Sequence, residues 1–377
     1  MTKKLHVGII FGGRSGEHEV SIRSANSVIE AIDRDRYEVI PLAITKEGHW
    51  LSPSDSASLL PEYARNLLPP TVKGSGEALT IVGDPSHAGL FRLEGNGPGA
   101  TNQKLDVVFP VLHGTFGEDG TIQGLLEMAG IPYVGCGVLA SSCGMDKVTM
   151  KTLFRQAGLP ICKHIWFLRG EWERDPEAIK VRVAREIGFP CFAKPANLGS
   201  SVGISRADDE QSLKGAIDLA ASYDRKVIVE EALNMREIEC AVLGNDEPEA
   251  SLPGEYVILE AQAAFLDYTE KYSNTGRVEF VVPAQVSAKL SSEIRRMAVK
   301  AFKAVDGAGL ARVDFFLLRD TNKLLINELN TLPGLTDVSG FPKMWTATGL
   351  PFDKVIDRLI ELAFKRHVDK SRNLTTR

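Results

Sequence analysis

Residues 311–330 (ARVDFFLLRDTNKLLINELN) are two apolar runs separated by a five-residue polar turn. That pattern confines the segment to an antiparallel hairpin. Side chains alternate faces along a strand, so Arg312, Asp314 and Phe316 share one face of the first run. Leu324, Ile326, Glu328 and Asn330 share one face of the second. With the turn centred on Thr321, residues equidistant from it oppose each other, which pairs Asp314 with Glu328 and Arg312 with Asn330. Opposed residues point to the same side of the sheet, so two carboxylates, a carboxamide and a guanidinium gather there. Hard oxygen donors of this kind suit Mg²⁺ or Mn²⁺ carrying phosphate, with the arginine left for an anion. The plain alternative is a solvated strand face with a cross-strand Arg–Asp pair.

At 377 residues the chain is too long for one compact core, which predicts two or three domains. Its net charge of -5 gives no basic footprint for nucleic acid and no polybasic membrane patch. The five cysteines are scattered with no C-x-x-C pair, against both a disulfide framework and a zinc site. No apolar run is long enough to span a membrane. The run from Val7 to Phe11, ending in Gly12-Gly13-Arg14, is too short for a signal peptide. A reducing cytoplasm is the expected compartment.

Strand Leu5 to Phe11, helix Val20 to Ile32 and strand Tyr37 to Ile44 read as the βαβ start of a parallel sheet. Residues 52–102, rich in Gly, Pro and Ser, read as loops and small hairpins. A strand at Leu105 to Leu112, a helix at Thr121 to Ala129 and a strand at Pro132 to Val134 complete a first domain, 1–145. A second lobe, 146–232, carries helices from Lys147, Pro176 and Asp208 and strands at Ile161 to Leu168, Cys191 to Pro195 and Lys226 to Glu231. The third, 233–377, is strand-rich at first. A helix at Ala288 to Val305, the hairpin and a closing helix at Phe352 to His367 follow.

Lys194 stands at a strand end before a loop containing Gly199, Ser200, Ser201 and Gly203. Small residues let backbone N–H groups approach phosphate oxygens, and the lysine meets the same charge; a tight hairpin is the plain alternative. The pattern is not that of a P-loop. Glu230 and Glu231 end an apolar strand, where an acid either accepts from an adenine or ribose or is simply solvated. Glu237 and Glu239 share one face of the next strand. Lys147 opens a helix, where the dipole prefers an acid, a local inconsistency of the kind functional sites show.

The order of these motifs over nearly the whole chain resembles the D-alanine–D-alanine ligase family. The segments that carry the likeness are Gly12 to Ser21 (GGRSGEHEVS), His113 to Gly120 (HGTFGEDG), Met145-Asp146-Lys147 and Lys194 through Gly203. Asp267 to Tyr272 (DYTEKY), Ala311 to Asp314, and Asn327 to Ser339 (NELNTLPGLTDVS) complete the set. The resemblance implies an α/β chain with an ATP-grasp fold, α+β in its ATP-binding part, and an N-terminal Rossmann-like parallel-sheet domain. It implies ATP as co-substrate, two Mg²⁺ or Mn²⁺ ions, two D-alanine molecules and a homodimer. In that family an ATP γ-phosphate passes to the carboxylate of one D-alanine, and the amine of a second displaces it.

Carried over by position, Asp314, Glu328 and Asn330 hold the metals. Lys147, Lys194 and Ser201 meet phosphate, and Glu230 and Glu237 meet adenine and ribose. Arg312 faces the oxyanion of the tetrahedral intermediate. Glu17 pairs with the first D-alanine's ammonium; by itself it also reads as a capping acid for the following helix. Ser200, Tyr272 and Glu17 form a set that ties the substrate loop closed, and His113 and Lys271 lie at the substrate pocket. Gly334, Ser339 and Gly340 receive the second D-alanine's carboxylate. Lys271-Tyr272 points to amide synthesis, since relatives that make the D-alanine–D-lactate ester can carry histidine there. Residues 263–277 read as a polar lid. Ester formation and another ATP-grasp carboxylate–amine ligase are the alternatives within the class. A two-lobed solute-binding protein accounts for neither the metal ligands nor the absent signal peptide.

Overall fold

The computed structural model describes residues 3–69, 79–86, 89–94, 97–199, 202–258 and 278–374. Strands Tyr37–Ile44, Leu5–Gly12 and Val107–Pro110 lie parallel in that order, with Leu5 beside Tyr37 and Val7 beside Val107. Val7, Ile9, Ile10 and Phe11 are all closed to solvent, as strands covered on both faces must be. Helix His18–Ala31 and the last helix, Phe352–Lys370, pack into one core with this sheet, joining Val28 and Phe109 to Leu359 and Ile360. The expected strand at 132–134 is only a single parallel bridge from Tyr133 to Val108. Residues 52–104 hold two short helices, Pro53–Ser58 and Glu62–Arg65, before an antiparallel sheet of Leu79–Ile81, Gly89–Glu94 and Gly97–Lys104.

An antiparallel sheet follows, ordered His164–Leu168, Lys226–Glu231, Cys191–Pro195, Ser205–Ala207. Helices Pro176–Glu186 and Glu210–Tyr223 cover it through Val183, Leu213 and Ile217. The larger sheet runs Val278–Val281, Gly254–Ile258, Met235–Gly244, Gly309–Leu318, Leu324–Asn330, with Glu249–Ala250 paired to Met235–Gly244. Helix Ala288–Ala304 packs on it through Met297 and Phe302.

The hairpin has the register read from its turn: Arg312 opposes Asn330 and Asp314 opposes Glu328. Beyond that point the register slips, and Phe315 opposes Ile326. Asn327 is therefore an unpaired bulge residue, and a bulge reverses the alternation of faces. This corrects the expectation that Leu324 and Ile326 share a face with Glu328 and Asn330. Leu324, Ile326 and Leu329 all join the core beneath the sheet. The bulge lets apolar side chains on both sides of it reach that core while the two polar ones face the other way. Lys151 Nζ donates to the Asn327 carbonyl at 2.9 Å and anchors it.

Helices Val138–Met145 and Gly340–Ala347 also form, in segments to which the sequence reading assigns no element. The second starts Gly-Phe-Pro, and proline is compatible with a first helical turn. No helix among the described residues is long and apolar enough to cross a membrane.

Candidate active site

The polar face of the hairpin is enclosed, not solvated: the side chains of Arg312 and Asp314 are each 12% exposed. Arg312 grips Asp314 two residues along the same strand, Nε to Oδ1 at 2.7 Å and Nη2 to Oδ2 at 2.6 Å. The arginine–aspartate pair that sequence allowed does exist, but along one strand rather than across two. Glu239, directly opposite Asp314 on the neighbouring strand, brings Oε1 to 3.2 Å from Arg312 Nε. Asn330 Oδ1 accepts from Leu332 N at 2.9 Å, which fixes the orientation of its carboxamide. Glu237 lies on the same face as Glu239, in register with Phe316.

Among the described residues no three carboxylates, imidazoles or thiols form a preformed cage. Two carboxylates and one carboxamide on a half-buried face nevertheless fit a hard cation that takes its remaining ligands from phosphate and water. The charge opposite them is of the matching sign. Glu328 lies close enough to Lys147 and Lys151 to favour the charged form of both.

Those two lysines stand four residues apart on helix Lys147–Gln156, which places them on one face. Asp146 caps this helix, accepting from Val148 N at 3.0 Å and Thr149 N at 2.9 Å, and pairs with Lys226. The dipole is thus met by Asp146, while the Lys147 side chain turns inward to the Leu198 carbonyl. Glu230, expected as either a solvated strand end or a ligand, is 2% exposed. It lies between Lys151 Nζ at 3.0 Å and Lys194 Nζ at 2.7 Å. Burial alone would raise the Glu230 pKa; Lys151 and Lys194 outweigh it and hold the carboxyl well below the ordinary carboxylate range. Burial would lower Lys151, and Glu230 reverses that and raises it. Lys147 is lowered, first by burial and then by the facing charges of Lys194 and Lys151, against Glu328 and Glu230. Three lysines against Glu230 and Glu328 leave a surplus of positive charge, which is a chemical demand for an anion.

The loops around this centre are held from below. Asp224 accepts from Asn197 N at 2.8 Å and Asn197 Nδ2 at 2.9 Å, fixing the start of the glycine loop. Gly117 has no room for a side chain, since a Cβ there would lie 1.9 Å from the Leu112 carbonyl oxygen. Glu17 occupies the N-cap position of helix His18–Ala31, yet its side chain makes no capping hydrogen bond, so the capping expectation does not hold. Its Oε1 instead lies between the two glycine loops, 3.3 Å from where a Cβ on Gly114 would be and 3.2 Å from one on Gly199. His113 is 3% exposed. Its Nε2 meets Ser24 Oγ at 2.9 Å and its Nδ1 lies 3.1 Å from the Leu332 carbonyl and 3.5 Å from Glu118 Oε1. Burial would lower its pKa, but Glu118, helped by Glu17, raises it. Ser24 Oγ also accepts from Leu335 N at 3.4 Å, tying the first helix to the loop that contains buried Gly334. Ser339 ends that loop, with Oγ 2.6 Å from Thr336 Oγ1, and Gly340 begins the next helix.

Ser200, Ser201, Lys271, Tyr272 and the lid at 263–277 lie outside the described residues. Of the rest, Lys147, Lys194 and Glu230 converge, as do Arg312, Asp314, Glu328 and Asn330; Glu17 and His113 join the loops beside them. Lys151 was missed as a site residue, although its spacing of four from Lys147 was the available signal. Glu239 was placed on the correct face but given no role. Ser24 gave no signal at all.

The chain matches two family profiles, "D-ala D-ala ligase N-terminus" over residues 6–136 and "D-ala D-ala ligase C-terminus" over residues 153–361. It is 47% identical over 374 residues to a D-alanine--D-alanine ligase of Natranaerobius thermophilus, covering 99% of this chain and 98% of that one. The structure of the D-alanine-D-alanine ligase from Coxiella burnetii superposes with a TM-score of 0.80 at 35% identity, over 98% of each chain. The VanG D-Ala:D-Ser ligase from Enterococcus faecalis gives a TM-score of 0.82 at 35% identity, over 96% of this chain and 100% of that one. Matched along nearly its full length in sequence and in fold, this α/β chain belongs to the D-alanine–D-alanine ligase family.

Proposed function

We propose that the chain joins two D-alanine molecules into D-alanyl-D-alanine with conversion of ATP to ADP and phosphate, supplying cytoplasmic cell-wall precursor synthesis as a homodimer. The observation that carries the reading is the meeting of Glu328, which opposes Asp314 across the hairpin, with the lysine cluster of Lys147, Lys151 and Lys194. A carboxylate is a poor electrophile, and its attack on ATP brings anions together, so the site must first supply positive charge.

Lys147 and Lys194, with the loop at Ser201, hold the phosphates. Glu230 and Glu237 take adenine and ribose. Glu17 holds the ammonium of the first D-alanine, whose carboxylate oxygen attacks the γ-phosphorus and forms an acyl phosphate as ADP departs. The amine of the second D-alanine adds to that carbonyl, and phosphate leaves as the tetrahedral intermediate collapses. Once released from Asp314, Arg312 stabilises the oxyanion; a donor of this kind is worth roughly 2.7–4 kcal/mol. Gly334, Ser339 and Gly340 receive the second carboxylate, while His113, Lys271, Ser200 and Tyr272 close the substrate pocket. Two Mg²⁺ or Mn²⁺ ions held by Asp314, Glu328 and Asn330 would neutralise the phosphate charge. Three lobes, 1–145, 146–232 and 233–377, meet around this centre.

The test is phosphate release from Mg·ATP. D-Alanine should stimulate it and L-alanine should not, with D-alanyl-D-alanine as the product. No stimulation by D-alanine, or stimulation only by D-lactate or D-serine together with D-alanine, rules the reading out.

A further inference from the structure

In the arrangement seen, Arg312 and Asp314 are engaged with each other. The guanidinium covers both carboxylate oxygens of Asp314, at 2.7 and 2.6 Å, and those are the atoms a cation needs. A bidentate arginine pair is a strong competitor for the same lone pairs. Metal binding at Asp314 is therefore favoured when the guanidinium moves off it, and an enclosed cation needs another counter-ion to move to.

Glu239 is placed for that. It is 3% exposed, stands cross-strand from Asp314, and its Oε1 already lies 3.2 Å from Arg312 Nε. The carboxylate is located from its other side as well. A Cβ on Gly340 would lie 2.7 Å from Glu239 Oε2, so the space it occupies exists because residue 340 has no side chain.

Resting on the proposed metal site, we propose that Glu239 is a positioning residue: it takes over the Arg312 guanidinium when Asp314 is committed to a metal ion. Glu239 thereby lowers the cost of freeing Asp314 and leaves Arg312 aimed for transition-state contact. Gly340 has a second role here, as the gap that admits the Glu239 carboxylate.

The experiment is Mn²⁺ binding in the presence of ADP, read by electron paramagnetic resonance, alongside steady-state kinetics at saturating metal. In Glu239→Gln the neutral amide competes poorly for Arg312, which stays on Asp314. Mn²⁺ affinity should fall about tenfold, within the range for residues that orient metal ligands. The kcat should fall about 100-fold while the KM for D-alanine changes little. In an Arg312→Gln background the competitor is gone, and adding Glu239→Gln should change Mn²⁺ affinity by less than about twofold. Glu239→Asp, which keeps the charge, should restore part of the affinity; it is also the variant to measure if the amide fails to fold. Unchanged Mn²⁺ affinity in Glu239→Gln, or in Glu239→Asp if only that variant folds, overturns the proposal. So does an equal loss with and without Arg312, which would make Glu239 merely one more nearby negative charge. Wild-type protein that binds no Mn²⁺ with ADP would instead sink the metal-site reading itself.

Discussion

Lys151 and Glu230 form an ion pair at 3.0 Å with side chains 1% and 3% exposed, and Lys194 reaches the second oxygen of the same carboxylate at 2.7 Å. Enclosed charges of this kind are strongly interdependent, because removing one strands the other without water. The pair joins the helix from Lys147 to the strand ending at Glu231, and through the Asn327 carbonyl Lys151 also reaches the hairpin bulge.

Lys151→Met leaves Glu230 with Lys194 alone and should cost about 3 kcal/mol of folding stability, the lower end for a broken buried pair, measured by urea unfolding at neutral pH. The pH dependence follows from the two shifts. Glu230 is held below its ordinary 4.5, so its contribution is complete above that pH and is lost as pH falls toward the folded value. Lys151 is raised above its ordinary 10.5, so its contribution is complete below that pH and is lost as pH rises beyond it. The variant should show a flatter acid limb than the wild type; an unchanged limb would place the acid sensitivity elsewhere.

Glu328→Gln removes one of two opposed carboxylates while keeping the shape of the side chain. Metal-dependent turnover should drop by about 100-fold or more, given the several kcal/mol of charge stabilisation such a site supplies. Circular dichroism should report an intact fold. Turnover at the wild-type level would remove Glu328 from the metal site.

The His113 imidazole is raised by Glu118 and Glu17 against its own burial. A raised histidine contributes stability that is complete below its unfolded value of about 6.5 and is lost as pH rises through the folded value. Glu118→Gln should shrink the fall in melting temperature between about pH 6 and pH 9. A proton-NMR titration of His113 in the same variant should move to lower pH. If neither changes, Glu118 is not the partner that keeps the ring charged.

Gly117→Ala would bring a methyl group to 1.9 Å from the Leu112 carbonyl oxygen, which belongs to the backbone and cannot swing aside. The loop from His113 to Gly120 must then shift. The expected loss is about 3 kcal/mol, the upper part of the overpacking range, read by chemical denaturation. A wild-type midpoint would mean that this loop adapts more freely than its packing indicates.

The amino-acid order alone determined a good deal. Alternation plus a five-residue turn set the pairing of Asp314 with Glu328 and Arg312 with Asn330, because both are local and hydrogen-bonded strands admit few registers. Apolar runs likewise marked the parallel sheet and the sheet behind Lys194 and Glu230. Three-dimensional packing decided what local pattern cannot carry. The bulge at Asn327 turned Ile326 into the core, since burial of an apolar side chain outweighs one regular ladder pair. The charge state of the lysine cluster depended on which distant strand brought Glu230 between Lys151 and Lys194. Helix Gly340–Ala347 and the place of Glu239 beside it depend on contacts between segments about 100 residues apart, and a sequence records no such distances.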